Sequence, residues 1–209
     1  MDIFIPSIAV SISQICIGHP FDTIKVLIQN NKFKNIKFKK FYKGFKYPML
    51  TSLFFNCTVF PVFEKTYEHT NNYFISGLLS GILVSPIVFI SDTYKINKQL
   101  SQSVVFSKYG IISTCLRESL AMSIYFSSYN ILKENNLSYF ISGGIAGICN
   151  WFFTYPIDVI KSRQIAQQIS IKNAINQGKL LKGIHICLIR AFLVNSSNFW
   201  VYEYFKKII

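Results

Sequence analysis

One phrase occurs three times in this chain. It reads Pro20-Phe21-Asp22-Thr23-Ile24-Lys25, then Ile90-Ser91-Asp92-Thr93-Tyr94-Lys95, then Pro156-Ile157-Asp158-Val159-Ile160-Lys161. Each copy follows an apolar stretch with two small residues four apart: Ser7/Ser11, Gly77/Gly81 and Gly143/Gly147. The second small residue always lies nine positions before the Pro or Ile that opens the phrase. A second phrase follows each first one, as Tyr42-Lys43-Gly44, Lys108-Tyr109-Gly110 and Leu181-Lys182-Gly183. Two phrases in fixed order, recurring 66 to 73 residues apart, describe a chain built from one unit used three times. The repeats fall at about 1–70, 71–135 and 136–209.

The composition says what the units are made of. Hydrophobic residues make up 51% and charged residues only 15%, against the roughly 25% charged of an ordinary soluble domain. Mean hydropathy is +0.33. Apolar stretches of bilayer-crossing length recur, and most contain a few polar groups, as helices that line something wet must. Six spans are expected, at about 3–28, 46–67, 73–98, 111–133, 138–165 and 184–206. The predicted fold is an all-α membrane protein, with six transmembrane helices around a central cavity in a single domain.

The net charge of +13 is carried mostly by connections and helix ends, with Lys32 to Lys46 the clearest run. That pattern suits anionic lipid headgroups rather than nucleic acid. The five cysteines all sit in apolar spans and form no CxxC or metal spacing. No Ser/His/Asp set, metal-ligand cluster or phosphate loop is present. No enzyme activity, cofactor or metal is therefore expected. The first span begins almost at Met1, so no cleavable presequence is expected.

The repeated phrases carry the chemistry. Three residues apart on a helix puts Asp and Lys near one face, and in a membrane such groups are costly unless paired. If each Asp reaches the Lys of the next repeat, the pairs are Asp22–Lys95, Asp92–Lys161 and Asp158–Lys25. Gln29 and Gln99, four residues past Lys25 and Lys95, are placed to cap them. Such a ring closes one end of a cavity and can reopen.

A second set lies twenty residues after each motif Gly: Glu64, Asn130 and Glu203, followed three residues later by Tyr67, Lys133 and Lys206. The same cyclic sense gives Glu64–Lys133, Asn130–Lys206 and Glu203–Tyr67, of which only the first is a full ion pair. This end is expected to be the weaker one. Seven residues after each motif Gly come Thr51, Arg117 and Arg190, with Glu118 beside Arg117. Charges at mid-span are expensive, and an Arg for a carboxylate with a Glu for an ammonium group reads as a substrate site.

These residues resemble the mitochondrial carrier family, and the likeness covers essentially the whole chain. The family's threefold P-x-[DE]-x-x-[KR] phrase, met here with Ile90 for Pro in the second copy, and its aromatic-basic-Gly phrase carry it. The resemblance implies a pseudo-threefold six-helix barrel in the mitochondrial inner membrane. It implies a matrix gate, a cytosolic gate and one central substrate site, worked by alternating access. Gly18 to Val26, Gly143 to Trp151 with Asp158 to Arg163, and Ile189 to Phe192 look like the carnitine/acylcarnitine, ornithine and basic amino-acid branch. In the family, an Arg-acid pair on the fourth helix goes with amino-acid-like substrates, and here that pair is Arg117-Glu118. An amino-acid-like or carnitine-like zwitterion is thus the expected substrate. The alternatives are a nucleotide carrier, or a degenerate carrier serving as a membrane adaptor. Expected partners are that small molecule and membrane lipid, cardiolipin at the matrix-side helix ends included, with the chain a monomer that binds no nucleic acid. Ile90 in place of the second Pro, Leu27 and Asn97 in place of a second basic residue, and trimmed loops depart from the family pattern.

Overall fold

The computed structural model describes residues 6–14, 16–18, 46–99, 103, 106, 108–181 and 184–208. Every described element is a helix. Residues 6–14 and 16–18 form α1, followed by α2 (Lys46–Thr70), α3 (Tyr73–Gln99), α4 (Ile111–Glu134), α5 (Tyr139–Gln167), the short α6 (Ile171–Asn176) and α7 (Ile184–Ile208). Five of the expected spans match α2, α3, α4, α5 and α7 to within three residues at either end. The short α6 lies between spans.

Polar residues suited to left-handed backbone set the boundaries. Asn71 adopts φ 50, which Asn tolerates better than most residues. Asn72 Oδ1 then accepts from the backbone N–H of Phe74 at 2.9 Å and of Ile75 at 3.1 Å, capping α3. So short a link makes α2 and α3 antiparallel neighbours. Asn136 at φ 62 and the Ser138 cap do the same between α4 and α5. Gly110 explains the recurring glycine of the second phrase: at φ 95 it opens α4 with a backbone that only glycine adopts cheaply.

The helices follow one another round a ring. Side chains of α1 bond to α2, and α2 packs on α3, α3 on α4, α4 on α5 and α5 on α7. Gly18 of α1 faces Val194 and Arg190 of α7, which closes the circuit. The small residues singled out in the sequence sit where each odd helix meets the next long one. Ser11 Oγ donates to the Ser52 carbonyl at 3.1 Å. A Cβ on Gly77 would meet the Met122 carbonyl at 2.6 Å, and Gly81 backs onto Glu118 and Ser119. Gly143 and Gly147 both face Asn195. Small residues let backbones approach this closely in a lipid-embedded bundle.

Many hydroxyls are buried and many large apolar side chains are exposed. Ser7, Ser80, Thr114, Ser123, Ser142 and Thr154 are buried, while Leu83, Ile90, Ile112, Phe153, Ile189 and Trp200 are exposed. By hydropathy, one helix among the described residues is long and apolar enough to cross a membrane, Tyr73–Tyr94. Other long helices bury charged groups, such as Arg117 and Glu118 on α4 and Lys161 on α5, and these lower the average.

Where the expected cavity would reach one end, aromatic rings fill the axis. Phe63 of α2 stacks on Phe126 of α4 at 3.8 Å, and Phe60 of α2 on Tyr202 of α7 at 4.2 Å. Phe126 also meets Phe199 of α7 edge-on at 6.4 Å. The helices α2, α4 and α7 are not neighbours in the ring, so their mutual contact occupies its middle.

Candidate substrate site and its two closures

Two charged clusters lie at opposite ends of the bundle. The first joins α3, α4 and α5. Lys161 Nζ is 2.8 Å from Asp92 Oδ2, 3.4 Å from Asp158 Oδ1 and 3.5 Å from Glu118 Oε1. Its side chain is 4% exposed, so three carboxylates share one buried ammonium. Asp92–Lys161 is the pairing expected from the sequence. Asp22, Lys25 and Gln29 lie outside the described residues. So do the side chains of Lys95 and Gln99, although their helix is described.

Arg117 and Glu118 extend this cluster toward the middle of α4. Arg117 Nη1 donates to both Glu118 oxygens, at 2.7 and 2.8 Å. The guanidinium also lies 4.6 Å from the centre of the Trp151 ring and 3.6 Å from Asp158. Glu118 is fully buried and Arg117 nearly so. Two of the four residues expected to hold a substrate, Arg117 and Glu118, therefore hold each other, and Glu118 reaches the same ammonium as Asp92. Thr51 on α2 and Arg190 on α7 occupy the register positions equivalent to Arg117, and both are half-buried.

The second cluster corrects the expected pairing. Glu64 does not take Lys133. Lys133 Nζ lies 2.6 Å from Glu203, and Lys206 pairs with Glu64. The acid-x-x-base spacing is the same at both ends, but α2, α4 and α7 run opposite to α3 and α5. On a reversed helix, the same offset turns the other way round the ring, so each Glu finds the Lys of the preceding repeat. Each pair also receives a tyrosine: Tyr129 O–H donates to Glu203 and Tyr202 O–H to Glu64, both at 2.8 Å.

In the corrected sense, the third position collects Asn130, Tyr67 and Phe63, each the neutral counterpart of an acid, a lysine or a tyrosine elsewhere. Asn130 turns back on its own helix, donating to the Phe126 carbonyl at 2.8 Å, and Tyr67 stacks on Tyr73 at 4.5 Å. This end thus has two full ion pairs and an aromatic plug, where the sequence had suggested one pair. Pairs are formed at both ends in the same structure.

Sequence reasoning missed three contacts. Trp151 stands in the sequence only as part of a motif, and its place one turn before Tyr155 and two before Asp158 is the available signal. Ser113 and Gln164 bond across α4 and α5 at 2.5 Å. Arg163 donates to the carbonyls of Ala174 and Gly178, both at 2.8 Å, clasping the α6 segment to α5.

Among the described residues the structure is an all-helical bundle with paired charges at both ends. A family described as Mitochondrial carrier protein matches residues 132–209. The mitochondrial basic amino acids transporter of Bos taurus is 25% identical, covering 94% of this chain and 88% of that protein. The mitochondrial ornithine transporter 1 of Schizosaccharomyces pombe is 26% identical over 91% of this chain and 87% of its own length. The glutamate/glycine mitochondrial carrier ymc1 of the same organism is 25% identical over 96% and 92%. Over the C-terminal third the chain matches the mitochondrial carrier family, and over nine-tenths of its length it is similar to that family's basic amino-acid and ornithine transporters.

Proposed function

We propose that the chain moves a small zwitterionic metabolite, amino-acid-like or carnitine-like, across the mitochondrial inner membrane by alternating access. Six helices in three tandem repeats cross the membrane around the substrate path. Support for the repeats comes from the matched contacts of Ser11 with Ser52, Gly81 with Glu118 and Gly147 with Asn195. The cluster around Lys161 is the matrix gate, to which Asp22, Lys25, Lys95, Gln29 and Gln99 also belong. Glu64, Lys206, Glu203 and Lys133 are the cytosolic gate, with Asn130 and Tyr67 its neutral third.

The observation that carries this reading is the sharing of Lys161 between Asp92 and Glu118. Arg117, Glu118 and Arg190, with Thr51, hold the substrate. A substrate bound at Glu118 changes the charge balance on Lys161 and so weakens the bond that keeps the matrix side shut. A ligand shifts a two-state equilibrium only by such differential contacts. Reconstitution of the purified chain in liposomes with labelled amino acids, carnitine and nucleotides tests it. Saturable uptake of a zwitterion is expected. Uptake of nucleotides alone overturns the substrate reading, and no uptake above empty liposomes leaves only the adaptor role.

A further inference from the structure

Resting on that reading, we propose that Glu134 supplies the third leg of the cytosolic gate, joined to Tyr67 through Tyr73. It is a positioning residue. It ties α2, α3 and α4 together in the closed state and touches no substrate.

The two ion pairs of this end join α4 to α7 and α7 to α2. The remaining join, from α2 back to α4, falls to Tyr67 and Asn130, and Asn130 donates to its own helix. Glu134 lies four residues beyond Asn130, one turn further along the same face of α4. Its Oε1 accepts from the Tyr73 O–H at 2.8 Å. The Tyr73 ring stacks on Tyr67 at 4.5 Å, with the planes 6° apart. One line of contacts therefore runs from α2 through the start of α3 to the end of α4. The corners make it possible. Asn71 at φ 50 and Asn136 at φ 62 turn the chain just after α2 and α4, so Tyr73, the first residue of α3, and Glu134, the last of α4, stand at one end of the bundle.

The sequence carries the same signal. Tyr73 stands four residues before the small residue Gly77, and Glu134 stands twenty-four after Gly110. The counterparts in the other repeats are Ile3 with Glu68 and Tyr139 with Lys207. Only the second repeat combines a tyrosine with a carboxylate at these positions. It is also the repeat in which Asn130 stands where the others have Glu64 and Glu203. The carboxylate is thus displaced by one turn, and Tyr73 spans the difference. Tyr139 follows half of the rule: Lys133 Nζ lies 5.1 Å from the centre of its ring. At both corners the tyrosine that opens a helix rests on the residue at the base position, Tyr67 or Lys133. Lys133 already has Glu203, whereas Tyr67 reaches a carboxylate through Tyr73. The Tyr73–Glu134 bond is exposed to water. Its loss therefore shifts the balance between two states by a modest factor and leaves the fold intact.

The test uses the full chain in oriented liposomes and reads access from each face. The parent carries Ser123→Cys with Cys16→Ala, Cys57→Ala, Cys115→Ala, Cys149→Ala and Cys187→Ala, and a membrane-impermeant thiol reagent is added outside or trapped inside. Tyr73→Phe keeps the stack and removes the donor. It and Glu134→Ala should each speed labelling from the cytosolic side by about threefold, the size of a modest net hydrogen bond. Labelling from the matrix side should slow, because the two openings alternate. The double variant should label no faster than the faster single, since both remove one contact. Glu134→Gln, whose amide oxygen still accepts, should fall between Glu134→Ala and the parent. With the native cysteines in place, exchange of labelled ornithine, arginine, glutamate and carnitine supplies a second readout. For whichever moves fastest, Tyr73→Phe should lower the KM measured from the cytosolic side, since a larger fraction of the protein is open there. Unchanged labelling, equal gains from both faces or additive effects of the two changes overturn the role of Glu134 while exchange by the parent keeps the transport reading. A parent that exchanges none of the four compounds overturns both.

Discussion

Glu203 of α7 holds Lys133 of α4 at 2.6 Å, beside the aromatic rings that fill the same end, where Tyr129 stacks on Phe199. The pair runs round the ring in the sense opposite to Asp92–Lys161, as antiparallel helices with one acid-x-x-base spacing require. Glu203→Ala leaves both the Lys133 ammonium and the Tyr129 hydroxyl without their acceptor. Its expected cost is about 1.5–3 kcal/mol of stability, the range for a hydrogen bond to a charged group. The exchanged double variant Glu203→Lys with Lys133→Glu should melt higher than either single change. Thermal unfolding in detergent measures this. A double variant no better than the worse single would place the stabilising contacts elsewhere.

Phe63, Tyr67 and Asn130 form a neutral third of the same closure. Because the three changes fall together, restoring one charge alone strands it. Asn130→Asp should destabilise the protein, whereas Asn130→Asp with Tyr67→Lys should recover stability and hold this end shut for longer. The check is the rate at which a thiol reagent reaches a Ser123→Cys probe, buried in the native chain. Slower labelling in the double variant than in the parent is the expected result, and equal rates would detach the third position from closure.

The aromatic plug makes a separate contribution. Phe126 is 2% exposed and touches Phe60, Phe63, Tyr125 and Phe199. Phe126→Ala should cost about 3–5 kcal/mol, as for other buried aromatic truncations, and should speed labelling of the Ser123→Cys probe from the Glu203 side. Unchanged labelling would mean the ion pairs alone keep that end closed.

Much of this was legible in the sequence. The repeated phrases placed five helices to within a few residues, because the small residues, the Asp-x-x-Lys steps and the Gly at φ 95 are tied to helix contacts and starts. Asp92–Lys161 followed from the spacing alone. The sense of pairing at the other end did not, since a linear sequence does not announce that helix reversal inverts the rotation of an i, i+3 offset. Trp151 against Arg117 was hidden for a similar reason, because neighbours on different helices share no sequence spacing. By hydropathy, only Tyr73–Tyr94 among the described residues reaches the length and apolarity of a span, and Arg117, Glu118 and several serines are buried in the other helices.

The small residues make a graded prediction. Gly77→Val drives a side chain into the Met122 backbone, where even a Cβ would sit 2.6 Å from the carbonyl. Overpacking of this kind costs about 1–3 kcal/mol. Gly18→Ala meets its nearest atom at 3.5 Å and should be tolerated. Melting temperatures of the two variants side by side decide it, and similar losses from both would contradict close packing of α3 on α4.

The central claim is that Lys161 couples the substrate carboxylate Glu118 to the closure made by Asp92. Initial rates of exchange of the preferred labelled zwitterion, across liposomes preloaded with the same compound, test it most directly. The account predicts saturable exchange in the unmodified protein. It predicts that Lys161→Ala abolishes exchange while insertion is unchanged, and that Asp92→Lys with Lys161→Asp recovers less than full activity because Glu118 then faces an acid. Unimpaired exchange in Lys161→Ala would contradict it.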